Sequence, residues 1–107
     1  MSLVYISSPY SNGDKEQNVL DALLVADKVL ELGHTPFVPH LSHYWDLISP
    51  KSWDVWMKID LEMLHRCDVV LRLREGISRG ADIECQKAEE WGIPVYYKLE
   101  DLGGENV

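Results

Sequence analysis

Short apolar runs alternate with longer amphipathic stretches along the chain. Leu3-Val4-Tyr5-Ile6 is an unbroken apolar run ending in Ser7-Ser8-Pro9, the pattern of a buried strand entering a loop. Ser11-Asn12-Gly13-Asp14 is turn material. Over 15–32, Val19, Ala22, Leu23, Ala26, Val29 and Leu30 recur at helical spacing, and Gly33 stands where a helix C-terminal stop belongs. Thr35-Pro36-Phe37-Val38 reads as a second strand, at a sheet edge because Pro36 has no N–H to give a ladder. The stretch 40–50, rich in His, Trp and Tyr, reads as a loop with a short helix. A second helix is expected over 52–66 with Ser52 as its N-cap. Asp68-Val69-Val70-Leu71-Arg72-Leu73 is a third strand and 74–78 a loop. A third helix over 80–91 stops at Gly92, and Pro94-Val95-Tyr96-Tyr97 is a fourth strand. The tail, 103–107, is expected to fray.

Strands alternating with helices in this order argue for a parallel sheet of four or five strands, covered by helices on both faces. The implied fold class is α/β, a Rossmann- or flavodoxin-like three-layer sandwich. A chain of 107 residues fits a single domain over 1–107. In such sheets ligands sit outside the carboxyl ends of the strands, near the switch in strand order. The loops after Ile6, Val38 and Leu73 are therefore the places to look for chemistry.

Two acids fall on the wrong faces of their helices. With residues spaced at about 100° on a wheel, Trp53, Trp56, Met57, Met63 and Leu64 share one face of the second helix, and Asp60 lies in the middle of it. Lys58, Glu62 and His65 take the opposite face. On the third helix Ala81, Ala88 and Trp91 mark an inner stripe that includes Glu84, while Asp82, Gln86 and Glu89 face out. A carboxylate on a buried stripe costs several kcal/mol unless it is paired, hydrogen-bonded or protonated. Taken singly, each has an ordinary structural account: Asp60 caps a loop or pairs with Arg74 or Arg79, and Glu84 lies at a rim beside Gly80 and Ala81. Two such acids on consecutive helices flanking one strand favour a shared site. Paired carboxylates suit glycosyl chemistry, one attacking the anomeric carbon and the other serving the leaving base or a water. Proximity also pushes one pKa up, toward an acid's role near neutral pH.

Composition narrows the ligand. The formal net charge is −8, so a nucleic-acid polymer is a poor partner, although a small anion can still bind locally. No apolar run approaches the roughly 20 residues of a membrane span, and Met1-Ser2-Leu3-Val4-Tyr5 carries no basic region of a signal peptide. A cytoplasmic protein with no membrane partner is expected. Cys67 and Cys85 lack metal-type spacing and read as small buried hydrophobes. His34, His40, His43 and His65 form no recognisable ligand set, so neither metal nor cofactor is expected. Trp53 and Trp56 read as core or subunit interface, which suggests a homo-oligomer. Tyr44 and Trp45 are the better candidates for stacking on a base. No phosphate-binding P-loop or dinucleotide fingerprint is present. Ser78-Arg79-Gly80-Ala81 does open a helix after a strand and loop, where free N–H groups bind anions and Gly80 lets a ligand approach the backbone. As a motif it is also simply an N-cap.

Together these segments resemble the nucleoside 2-deoxyribosyltransferase-like superfamily. Tyr5-Ile6-Ser7-Ser8-Pro9-Tyr10 looks like its first strand and loop. Asp60-Leu61-Glu62-Met63-Leu64 followed by Cys67-Asp68-Val69-Val70-Leu71 looks like its acid-bearing helix and central strand. Ser78-Arg79-Gly80-Ala81-Asp82-Ile83-Glu84 looks like its glycine-containing loop and nucleophile helix. The resemblance spans most of 3–97 and includes nucleoside 5′-monophosphate N-glycosidases and small phage and bacterial proteins of the same compact pattern.

The resemblance implies cleavage of the N-glycosidic bond of a nucleoside or nucleoside 5′-monophosphate, by hydrolysis or base transfer. Glu84 would be the nucleophile, Asp60 would assist the leaving base, and Tyr5 would orient Glu84. Ser7, Ser8, Pro9, Ser78, Arg79 and Gly80 would bind substrate. Ser78 stands where the monophosphate hydrolases of the superfamily carry a phosphate-holding serine and the transferases an acid. The first loop lacks the arginine those hydrolases use, and Asp82 and Cys85 replace a small residue and a leucine beside the nucleophile. A non-catalytic nucleotide-binding module of the same fold is the alternative expectation.

Overall fold

The computed structural model describes residues 2–10, 13–73 and 78–103. Four strands, β1 (Leu3–Ser7), β2 (Thr35–Phe37), β3 (Val69–Arg72) and β4 (Val95–Tyr96), form one sheet in the order β2-β1-β3-β4. All three pairings are parallel. The helices are α1 (Lys15–Glu31), α2 (Ser42–Ile48), α3 (Trp53–Leu64) and α4 (Arg79–Glu90), with 3₁₀ turns at Pro39–Leu41 and Leu99–Leu102. The short β2 lies at an edge, where the missing N–H of Pro36 does least harm. The final 3₁₀ turn was not foreseen from the pattern, and the tail beyond residue 103 lies outside the described residues.

The helix ends follow local chemistry. Asp14 caps α1 by accepting from the N–H groups of Glu16 and Gln17, at 3.0 and 3.2 Å. Ser52 and Ser78 cap α3 and α4 by accepting from Val55 and Ala81, each at 3.3 Å. Gly33 and Gly92 take φ of +91° and +73° just past α1 and α4, a left-handed conformation that glycine enters without steric cost. The stretch 40–50 is more helical than its composition suggests, because the 3₁₀ turn Pro39–Leu41 runs directly into α2 at Ser42.

Side-chain alternation along the central strands divides the interior in two. Val4, Ile6 and Leu71 pack against Ala22, Ala26 and Val29 of α1. Tyr5 and Val70 point the other way, against Leu64 and Ala88 of α3 and α4. The result is a three-layer sandwich. From β1 the chain goes to β2 on one side, then returns past β1 to build β3 and β4 on the other. The switch point thus lies between the carboxyl ends of β1 and β3, where Ser7 and Arg72 stand in register. One wheel assignment is corrected here. Trp91 does not join the inner stripe: it lies just past α4, is 38% exposed and stacks on His65 with ring centroids 4.4 Å apart.

Candidate active site

Glu84 projects from α4 onto the switch point and is 5% exposed. The Tyr5 hydroxyl donates to its Oε2 and the Ser7 hydroxyl donates to its Oε1 at 2.8 Å. Tyr5 and Ser7 are two apart on β1, so strand pleating turns both toward the helix layer. The rim position open to Glu84 in the sequence is thus not what the fold uses. Burial pushes the Glu84 carboxyl up to about 7, while the Tyr5 and Ser7 hydrogen bonds and the Arg72 charge pull it down. Burial, and next the charge of Glu84, hold Tyr5 in its phenol form, so it remains a donor.

Asp60 comes to the same space from α3. Burial and then the neighbouring Glu84 charge push it up to about 7. Among the described residues neither acid is in an ion pair; Arg74, one suggested partner, lies outside them, and Arg79 stacks instead on the Trp53 ring at 4.4 Å.

The two acids line a cavity of about 460 Å³, within the range of small-molecule sites. Ser8, Ser78, Arg79 and Gly80 also line it. A Cβ added at Gly80 would meet only the Met57 sulfur at 3.7 Å, so the protein's own packing does not demand glycine there. Ser7 and Pro9 are buried and do not form the wall. Ser7 instead hydrogen-bonds Glu84.

Trp53 and Trp56, read as core or interface, line the cavity, whereas Tyr44 and Trp45 do not. The cause is local: the Trp56 indole N–H donates to Asp46 at 2.7 Å, and the Lys51 N–H donates to the same carboxylate oxygen at 2.9 Å. This fastens the 49–52 connection against α3 and turns the Trp53–Trp56 edge toward the site. Several wall residues escaped sequence reasoning: Tyr10, Lys15, His40, Asp46 and Lys51. They come from separate segments of the chain, and no periodicity links them. His40 is buried and pairs through Nε2 with the Ser8 hydroxyl at 2.8 Å, a hydrogen-bonded histidine as expected. Among the described residues no cluster of His, Cys, Asp and Glu could hold a metal ion.

Fold and cavity define a flavodoxin-like α/β protein with one buried acid, Glu84, and one half-buried acid, Asp60, at its topological switch point. Residues 2–98 match the family described as a domain of unknown function, DUF7768, and the chain belongs to that family. No curated protein matches it in sequence. The fold is similar to that of a solved 2-deoxyribosyltransferase from the psychrotolerant bacterium Bacillus psychrosaccharolyticus, with a TM-score of 0.62 and 24% identity over 87% of this chain and 69% of that one. That enzyme is described as a suitable biocatalyst for the industrial synthesis of antiviral and antitumoral nucleosides. At this identity the likeness is one of fold. No helix among the described residues is long and apolar enough to cross a membrane.

Proposed function

We propose that this protein cleaves the N-glycosidic bond of a nucleoside or nucleoside 5′-monophosphate through a glycosyl-enzyme intermediate. The observation that carries the reading is the Glu84–Asp60 pair: two carboxyls that both titrate near 7, facing one cavity, with Glu84 gripped by Tyr5 and Ser7. Near neutral pH such a pair favours one carboxylate and one carboxylic acid. The donors on Glu84 and the charge of Arg72 make it the carboxylate; Asp60, lacking them, keeps the proton. Glu84 then attacks C1′ as the bond from C1′ to the base nitrogen breaks. The base leaves with the bonding electron pair and takes the Asp60 proton. Water or a second base displaces Glu84 from C1′, with Asp60 now accepting the proton.

An anionic substituent belongs to the same reading. Lys15, Lys51 and Arg79 line the cavity of a chain whose formal net charge is −8, beside Ser78 at the start of α4. Free N–H groups and the positive end of a helix dipole favour phosphate there. The test is base release from a panel of nucleosides and their 5′-monophosphates, followed by chromatography. Release from a monophosphate is expected. For Ser78→Ala, KM for the monophosphate should rise about tenfold or more, the loss of a hydrogen bond to a charged group, with little change for the parent nucleoside. An equal effect on both substrates would reduce Ser78 to its capping role. No release from any substrate, together with a nucleotide-induced rise in Tm, would favour a binding module instead.

A homo-oligomer is part of the same proposal, but not through Trp53 and Trp56, which serve the cavity. Leu41, Tyr44, Leu47 and Ile48 leave an apolar ridge along α2, with Ile48 86% exposed. A dimer or larger species is expected by light scattering at micromolar concentration, and Ile48→Glu should weaken it. A monomer of the wild type would overturn the idea.

A further inference from the structure

A further carboxylate, Asp46, lines the cavity from α2. Its Oδ1 accepts both the Trp56 indole N–H at 2.7 Å and the Lys51 backbone N–H at 2.9 Å. These two donors fix the side chain between α2 and the start of α3. The Lys51 N–H, and next the Trp56 N–H, also hold its carboxyl below the usual carboxylate range, so it is ionised at neutral pH. Neither bond uses Oδ2, and among the described residues Asp46 forms no ion pair. The Lys51 ammonium is engaged elsewhere: it donates to the Ser49 hydroxyl at 3.0 Å and sits 5.3 Å from the centre of the Trp45 ring. A fixed acceptor is thus left in the wall of a cavity sized for a small molecule.

The two helices that flank the cavity run side by side from their starts. Arg79 stacks on Trp53 with its Cζ 4.4 Å from the ring centre, and the Met57 sulfur faces Gly80. One turn further on come Asp60 and Glu84, three residues beyond Met57 and four beyond Gly80. Trp56 stands one turn, about 6 Å, before Asp60 on the same face of α3. The wall therefore runs from Glu84 through Asp60 and Trp56 to Asp46. With C1′ at Glu84 and the leaving nitrogen at Asp60, the sugar hydroxyls stay beside Glu84 and the base extends toward Trp56. A carboxylate oxygen accepts hydrogen bonds and donates none, so it repels a carbonyl edge and a phosphate alike. We propose that Asp46 reads the base, selecting one that carries an exocyclic amino group, such as adenine or cytosine, over its oxo counterpart. The inference rests on the glycosidase reading of Glu84 and Asp60 and names its substrate class.

The test measures kcat/KM for base release from matched pairs, adenosine with inosine and cytidine with uridine, as ribo- and 2′-deoxynucleosides and as their 5′-monophosphates. The wild type should favour the amino member by about tenfold or more, the scale of a hydrogen bond to a charged group. A 6-methylpurine nucleoside, of the same shape as adenosine but without the N–H, should fall with the oxo substrates. Asparagine keeps an oxygen for Trp56 and Lys51 and sets an N–H donor where Oδ2 was, so Asp46→Asn should invert the preference. Asp46→Ala should abolish the preference without inverting it, and decides if Asp46→Asn does not fold. A purely structural Asp46 would slow every substrate alike when replaced; that outcome, or a wild type indifferent to the amino group, overturns the proposal. If no substrate releases its base, the glycosidase reading fails, and calorimetric binding of the same pairs decides the role of Asp46. An amino preference that is lost in Asp46→Asn supports it; equal binding of both members, or binding of neither, overturns it.

Discussion

Glu84→Gln is expected to slow base release by at least about a thousandfold, the scale on which removal of a covalent nucleophile is felt. Glutamine keeps the volume of the side chain and can accept a hydrogen bond from Tyr5 or Ser7, whose hydroxyls rotate to suit the amide. The fold and the cavity wall should therefore survive, and KM should change only a few fold. What is lost is the charge that attacks C1′. Asp60→Asn should cost less, on the order of a hundred- to ten-thousandfold, because a base with a good leaving tendency departs without a proton donor more readily than without a nucleophile. Substrates carrying such bases should narrow the deficit of Asp60→Asn and leave that of Glu84→Gln untouched. Single-turnover chromatography makes the comparison. A Glu84→Gln protein retaining a tenth or more of the wild-type rate would remove Glu84 from the chemistry.

The same substitution should stabilise the folded protein at alkaline pH. Glu84 titrates near 4.5 when unfolded and near 7 when folded, so the folded state holds its proton more tightly. Its contribution to stability is complete below about 4.5 and is lost as pH rises through about 7. For a shift of that size the loss is on the order of 3 kcal/mol. Asp60, raised to about 7 and less deeply buried, works in the same direction. Glutamine carries no charge to desolvate, so Glu84→Gln should match the wild type in urea unfolding at pH 4.5 and exceed it by about 3 kcal/mol at pH 8. Comparing the two proteins cancels the general effect of their shared negative surface. Parallel stability profiles would mean that Glu84 is not held in a disfavoured charged state. A site residue that weakens the fold it sits in is the usual mark of a group kept for reaction rather than for packing.

Much of the architecture was legible along the chain because it depends on short-range chemistry. Strand and helix periods, the caps Ser52 and Ser78, and the stops Gly33 and Gly92 all act within a turn of their own residue. Asp60 and Glu84 were legible for a related reason: an acid on an apolar stripe contradicts its neighbours, and three residues on either side suffice to see it. Other elements were misread where two or more surfaces compete for one side chain. Trp91 fits the α4 stripe by spacing, but the helix ends before it and His65 offers it a partner at the surface. The choice between the Trp45 and Trp56 edges was made by Asp46, ten residues from Trp56, through one hydrogen bond.

The sequence by itself determined the order of elements, the parallel sheet and the two acids that such a sheet would find hard to bury. Only the tertiary structure decided what those acids meet. Strand order placed the end of β1 beside that of β3, and Tyr5 and Ser7 of β1 meet Glu84 across 79 and 77 positions of chain. The cavity wall was likewise assembled from segments with no common period. The physical reason is range: backbone propensity and amphipathicity act over a few residues, whereas desolvation and charge act between whichever groups folding brings together.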